Sequence, residues 1–215
     1  MIDVRMFTVG PVQENCFIVH GKDAASGVIV DPGDEPDRLL GALGDLGIET
    51  VEAVLVTHTH FDHIGAVAPV ARATGAPVYC PQLETRVLAN IMDYVPWPGF
   101  GPFESYQADH TVEGGETLEL AGLTFDVLFT PGHSPGHVTY ALADEDALFS
   151  GDVLFQGSVG RVDLPGGDWP TLLASIESLI ERFPKDTTVY PGHMATTTLG
   201  RERATNPFLR ELAER

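Results

Sequence analysis

The stretch Val54-Leu55-Val56-Thr57-His58-Thr59-His60-Phe61-Asp62-His63 decides how the rest of the chain is read. It opens as a short apolar, β-branched run of the kind buried strands use, then places three histidines and one aspartate within the six positions 58–63. His58 and His60 are two apart, so on extended backbone their rings point the same way and can chelate one ion. Asp62 and His63 come next, where a helix from Ile64 would begin, and can serve a second ion beside the first. Imidazole and carboxylate suit zinc, iron or manganese at neutral pH.

Working outward, the same plan returns three times. Val127-Leu128-Phe129 leads into Thr130-Pro131-Gly132-His133, Leu148-Phe149 into Ser150-Gly151-Asp152, and Val189-Tyr190 into Pro191-Gly192-His193. In layered α/β folds the loops at the carboxyl ends of strands gather at one edge, so four such loops can converge. A carboxylate such as Asp152 can bridge two cations that would otherwise repel.

Further strand-like runs are 16–19, 27–30, 77–79, 124–129, 138–142, 147–149 and 188–190. Helical patterns cover 36–46, ended by Gly47, then 64–74, closed by Gly75, and 81–92. The strongest spans 169–183, with Leu172, Leu173, Ile176, Leu179, Ile180 and Phe183 on one stripe, Asp168 as its cap and Pro170 in its first turn. A last short helix is expected from Asn206-Pro207. Interleaved strands and helices imply an α/β arrangement of layers, with 1–215 as one domain. Residues 93–110 differ: Tyr94, Trp97, Phe100, Phe103 and Tyr106 sit among Pro96, Pro98, Gly99, Gly101 and Pro102. This reads as a long ordered loop, either an aromatic wall or lid beside a pocket or a loop whose rings pack onto the body.

Composition narrows the partners. Twelve Lys+Arg against 31 Asp+Glu give a formal charge of -19, which argues against nucleic acid and against an anionic membrane surface. No run approaches the roughly 20 apolar residues of a membrane helix, and the first twenty residues do not read as a signal peptide. Two cysteines, Cys16 and Cys80, make no disulfide framework. A cytoplasmic protein, monomer or homodimer, is the expectation.

The segment His58-Thr59-His60-Phe61-Asp62-His63 resembles the H-x-H-x-D-H motif of the metallo-β-lactamase fold superfamily, and His133, Asp152 and His193 match its later ligand positions in order. The resemblance runs from the Asp31-Pro32-Gly33 turn to His193. It implies an αββα sandwich with a dinuclear site at one edge. By that resemblance His58, His60 and His133 bind one metal, Asp62, His63 and His193 the other, and Asp152 bridges. Within the superfamily, Thr130-Pro131-Gly132-His133-Ser134-Pro135-Gly136-His137, Ser150-Gly151-Asp152 with Gly160, and Pro191-Gly192-His193 are similar to motifs of the glyoxalase-II-like hydrolases. Only 22 residues follow His193, and the tail is similar to that of the short, single-domain members rather than of the full-length enzymes with a C-terminal helical region for glutathione. Asp62 and the set of later ligands argue against a zinc-type β-lactamase.

The reaction implied is hydrolysis of a small thioester, such as an S-2-hydroxyacyl thiol, by two divalent ions, zinc or iron or manganese. Asp62 and Asp152 are its catalytic carboxylates, Asp62 first as a ligand and second in orienting water. His137 and Asp31 are candidates for orienting ligands, and Arg161 for binding a substrate carboxylate through its planar fork. A persulfide dioxygenase is the rival enzyme, with one iron on His58, His133 and Asp152 and a similar Gly160-Arg161-Val162-Asp163 run. A phosphodiesterase or nuclease lacks its basic groove here. A non-catalytic metal-binding module is the third alternative, and structural zinc closes with four protein ligands where seven stand here.

Overall fold

A computed structural model describes residues 1–95 and 97–210. Pro96 of the aromatic loop, and the end of any helix begun at Asn206, lie outside the described residues. The chain forms two compact units, Met1–Val112 with Glu119–Leu123, and Glu113–Leu118 with the chain from Thr124 onward.

The first unit is built on a six-stranded sheet in the order β1-β2-β3-β4-β5-β6. Its strands are β1 (Ile2–Val9), β2 (Glu14–Gly21), β3 (Ser26–Val30), β4 (Thr50–Leu55), β5 (Val78–Pro81) and β6 (His110–Val112). β1, β2 and β3 pair antiparallel, and β3 to β6 run parallel. The carboxyl ends of β3, β4 and β5 therefore lie at one edge, and the start of antiparallel β2 lies there too. Helices α1 (Pro36–Asp45) and α3 (Val67–Thr74) place Leu39, Leu43, Val67 and Val70 against Ile18, Ile29, Val54 and Val78. Each such side chain taken fully from water contributes about 1.5–3 kcal/mol.

The second unit carries a sheet in the order β14-β13-β10-β9-β8-β7. In chain order these are β7 (Thr117–Leu120), β8 (Leu123–Phe129), β9 (Val138–Leu142), β10 (Ala147–Gly151), β13 (Thr188–Pro191) and β14 (Thr197–Thr198). A separate hairpin joins β11 (Leu154–Phe155) to β12 (Ser158–Val159). β9 runs antiparallel to both β8 and β10, and β10 is parallel to β13, so β8, β10 and β13 all point the same way. Helix α5 (Trp169–Arg182) buries Leu172, Ile176 and Leu179 on Leu128, Ala141, Leu148 and Val189. Asp168 caps it, accepting from the Thr171 amide at 3.0 Å, as its position implied.

Two helical expectations differ from the structure, and a third runs past the described residues. The pattern at 64–74 is two helices, α2 (Phe61–Ile64) and α3, because the Ala66 amide donates to the Pro32 carbonyl at 3.0 Å and leaves the helical ladder. The stretch 81–92 breaks into a 3-10 turn at Gln82–Glu84, α4 (Thr85–Leu88) and a second 3-10 turn at Ile91–Asp93. The helix expected from Asn206 opens as a 3-10 turn, Pro207–Leu209, and is helical at Arg210, the last described residue, while α6 (Leu199–Thr205) just before it was not among the expected helices. Strands β1, β6, β7, β11, β12 and β14 were not among the expected runs.

Candidate metal centre

In the first unit the site is assembled where β3 and β4 end. Past β3 the chain turns at Asp31, whose φ of 48° is unusual for a residue with a side chain. The turn is fixed by what the carboxylate does: Oδ1 accepts from the Thr57 amide at 2.7 Å and Oδ2 from the Thr57 hydroxyl at 2.6 Å. Past β4, that hydroxyl also lies 3.1 Å from His58 Nδ1. Its one proton is given to Asp31, so it accepts from His58 Nδ1–H, and the His58 Nε2 lone pair is left to face a ligand site. His63, fully buried, places Nδ1 3.0 Å from Asp31 Oδ2 and is held in the same tautomer, with Nε2 outward. The Glu14 carboxylate, from the start of β2, stands 3.7 Å from that Nδ1. Asp31, His58 and His63 form a cluster whose donor atoms lie within 4.8 Å of one another, but the oxygens of Asp31 are committed to Thr57 and His63. Asp31 thus ties the Thr57 segment to the His63 ring.

His58 Nε2 and His60 Nδ1 are 3.2 Å apart. Two ligands of one tetrahedral ion at ~2.1 Å stand roughly 3–3.5 Å from each other, so the pair is spaced for chelation. Between them, Thr59 is clamped by Glu84: its amide donates to Oε2 at 2.6 Å and its hydroxyl to the same oxygen at 2.9 Å. Asp62 and His63 start α2, with Asp62 Oδ2 3.9 Å from His63 Nε2. Gly33 lets the Asp62 segment approach, since a methyl group there would run into the Asp62 carbonyl oxygen and lie 2.6 Å from Glu14 Oε2.

In the second unit, loops from the ends of β8, β10 and β13 bring His133, Asp152 and His193 together. His133 Nδ1 donates to the Arg161 carbonyl at 2.7 Å, which turns Nε2 toward Asp152 Oδ2 at 3.4 Å. His193 Nε2 is 3.7 Å from the same oxygen, so one carboxylate oxygen lies near the ligand nitrogens of both rings. His137 holds Asp152 from behind: its Nε2 accepts from the Asp152 amide at 3.1 Å, and its Nδ1 faces the Thr130 hydroxyl at 3.2 Å. Gly160 is required here, because a Cβ would collide with the Asp152 carbonyl and lie 3.0 Å from His133 Nδ1.

Arg161 serves the site through its backbone. Its guanidinium is exposed and forked onto Asp163, at 2.6 Å and 2.7 Å, which holds the Asp163 carboxyl down to about 2 and raises the Arg161 guanidinium. That fork is already occupied by a carboxylate of the chain itself. Sequence reasoning missed Glu14, Glu84 and Thr57. Glu14 left a signal, a charged residue entering an apolar strand, while Glu84 left none.

Both groups fit a metal ion: His58, His63 and His133 have the far ring nitrogen tied to a protein acceptor, His58 and His60 stand at chelate spacing, and carboxylates complete the charge. A profile described as the metallo-beta-lactamase superfamily matches residues 9–193, and the chain belongs to that family. It is a metallo-hydrolase of the superfamily. A probable metallo-hydrolase, YqgX of Bacillus subtilis, is 40% identical over 95% of this chain and 96% of its own length. The hydroxyacylglutathione hydrolase GloC of Haemophilus influenzae is 32% identical over 97% and 98%. Among solved structures, the B3 metallo-beta-lactamase BLEG-1 superposes with a TM-score of 0.90 at 41% identity, covering 98% of this chain and all of that one. TTHA1623 in a di-iron-bound form gives 0.84 at 43%, covering 96% and 100%. The α/β layered fold expected from the motif is that of these neighbours. Among the described residues no helix is long and apolar enough to cross a membrane.

Proposed function

We propose that this chain hydrolyses a small thioester, of the S-2-hydroxyacyl type, at a centre of two divalent metal ions. His58, His60 and His133 would hold one ion, Asp62, His63 and His193 the other, and Asp152 would bridge. The observation that carries this reading is the locking of ring tautomers: Asp31 on His63, Thr57 on His58 and the Arg161 carbonyl on His133 leave Nε2 of each ring as a lone-pair donor. The likeness to a relative named a hydroxyacylglutathione hydrolase supports the choice of a thioester.

When bound, such ions supply Lewis acidity at a carbonyl and lower the pKa of water. The chain supplies the rest. Asp31, His137 and Glu84 fix ligand geometry before substrate arrives. Asp62 takes a second role in orienting the attacking water. No serine or cysteine nucleophile is required, and both cysteines are buried. Thiolate leaves without a dedicated acid.

The likeness to a B3 metallo-beta-lactamase favours a second reading, lactam hydrolysis, in which the sequence argument from Asp62 does not separate the two. Purified protein is tested on S-lactoylglutathione, a chromogenic cephalosporin and glutathione persulfide with oxygen uptake recorded. Thioester loss without oxygen consumption, at a kcat/KM well above that for the cephalosporin, is the expected result. Oxygen uptake would assign the dioxygenase, and turnover of the cephalosporin alone would assign the lactamase. No turnover of any of the three would return the chain to a non-catalytic module.

A further inference from the structure

In the second unit an aromatic ring stands against a candidate ligand. Phe155 of β11, buried, meets the His193 ring edge-to-face, with centroids 5.8 Å apart and planes at 82°. Aromatic pairs favour that arrangement at about 4.5–7 Å. His193 has more to gain from such a neighbour than His133 has. Its backbone is fixed, since the Gly192 amide donates to the Gly151 carbonyl at 2.8 Å. Its side chain is 21% exposed, against 2% for His133. Past it the chain turns away through Met194, at a φ of 70° and with its own side chain exposed. An open ring on a fixed backbone has rotamers to lose when it takes a metal ion, and a packed neighbour removes that loss beforehand. The hairpin that carries Phe155 is itself held, as strands of two residues must be. Glu202 accepts from the Gly157 amide at 2.8 Å. Asn206 Nδ2 donates to the Ser158 carbonyl at 2.9 Å, the Phe155 carbonyl at 3.4 Å and Glu202 Oε2 at 2.9 Å. Helix α6 and the residue after it thus fix the backbone from which the Phe155 ring reaches His193.

We propose that Phe155 is a positioning residue for the ion assigned to His193: its ring limits the rotation of the imidazole, and so sets how firmly the chain keeps a second ion. Phe155 touches neither substrate nor metal in this role and acts through His193 alone. The inference rests on the two-ion reading above, and goes beyond it in naming the side chain on which the second occupancy depends.

The test titrates the full chain, stripped of metal by chelator, with cobalt(II), and reads the two affinities from visible absorption and calorimetry. Phe155→Leu keeps most of the volume and removes the aromatic edge. It should weaken the second cobalt about tenfold and leave the first within about twofold. Phe155→Tyr, which restores the ring, should bring the second affinity back to within about threefold of wild type. A variant that merely loosened the fold would weaken both ions together. Phe155→Met, flexible enough to refill the space, replaces the leucine variant if that protein does not fold, with the same selective loss expected. Two cobalt ions in the wild type with neither affinity moved by the variant, with both lowered alike, or with no recovery in Phe155→Tyr, would overturn the inference and leave the two-ion reading standing. A single cobalt in the wild type would overturn that reading and the inference with it.

Discussion

At the scale of single residues, the account turns on where protons sit. Asp31 is a hinge between two ligands, since one of its oxygens faces both the Thr57 hydroxyl and His63 Nδ1. Replacing Asp31 by Ala frees both rings to rotate and to take the wrong tautomer. Metal affinity, measured by competition with a chelator, should fall about 10–100-fold while the circular dichroism spectrum stays folded. The two thiols make a different prediction. Burial, with Glu14 and Asp31 nearby, pushes Cys16 well up, and burial with Glu84 nearby pushes Cys80 up. Both stay protonated at pH 8, so an aromatic disulfide reagent should titrate neither thiol in the native protein and both in denaturant. Because the folded thiols hold their protons more tightly than unfolded ones, their contribution to stability is complete below about pH 8.5 and erodes as pH rises above it. Of the residues that hold these side chains in place, Asp31 and His137 were legible because each falls in a turn motif, Asp31-Pro32-Gly33 and Pro135-Gly136-His137, although their partners are distant in sequence. Glu84 was not, because no motif surrounds it and its partner Thr59 is as distant as theirs.

At the scale of elements, the candidate ligands owe their positions to strand direction. Each ligand segment follows the end of β4, β8, β10 or β13, and within each sheet the strands that carry ligands point one way. That much was readable from four apolar runs ending in polar breaks. The short elements were not. Strands β11, β12 and β14 have two residues each, too few for periodicity to show. What holds them is Glu202 of α6, fully buried, accepting from the Gly157 amide at 2.8 Å, the Asn206 amide at 2.9 Å and the Thr197 hydroxyl at 2.5 Å. Glu202→Ala strands three donors and should cost about 3 kcal/mol in chemical denaturation. That corresponds to a melting temperature roughly 6–12 °C lower. Glu202→Gln keeps two acceptor sites and should lose less. The break between α2 and α3 follows the same logic, since a carbonyl from another loop outcompetes the helix for the Ala66 amide.

At the scale of the whole molecule, the charge of -19 sets the field through which a substrate arrives. Two bound divalent ions offset only a small part of it. An anionic thioester therefore meets net repulsion, and its kcat/KM should rise as ionic strength is raised from about 10 to 150 mM, where the Debye length shortens from about 30 to 8 Å. A neutral thioester of the same acyl group should show little change. A fall for the anionic substrate would point to a cationic surface that the sequence lacks. The central claim is that this chain holds two metal ions. Elemental analysis of protein purified without chelator or added metal tests it directly, with Asp152→Ala measured beside the wild type. The account predicts close to two ions of zinc, iron or manganese per wild-type chain and fewer than one in the variant. One iron per chain, unchanged in kind when other metals are offered, would contradict it in favour of the mononuclear centre, and no metal at all would contradict it outright.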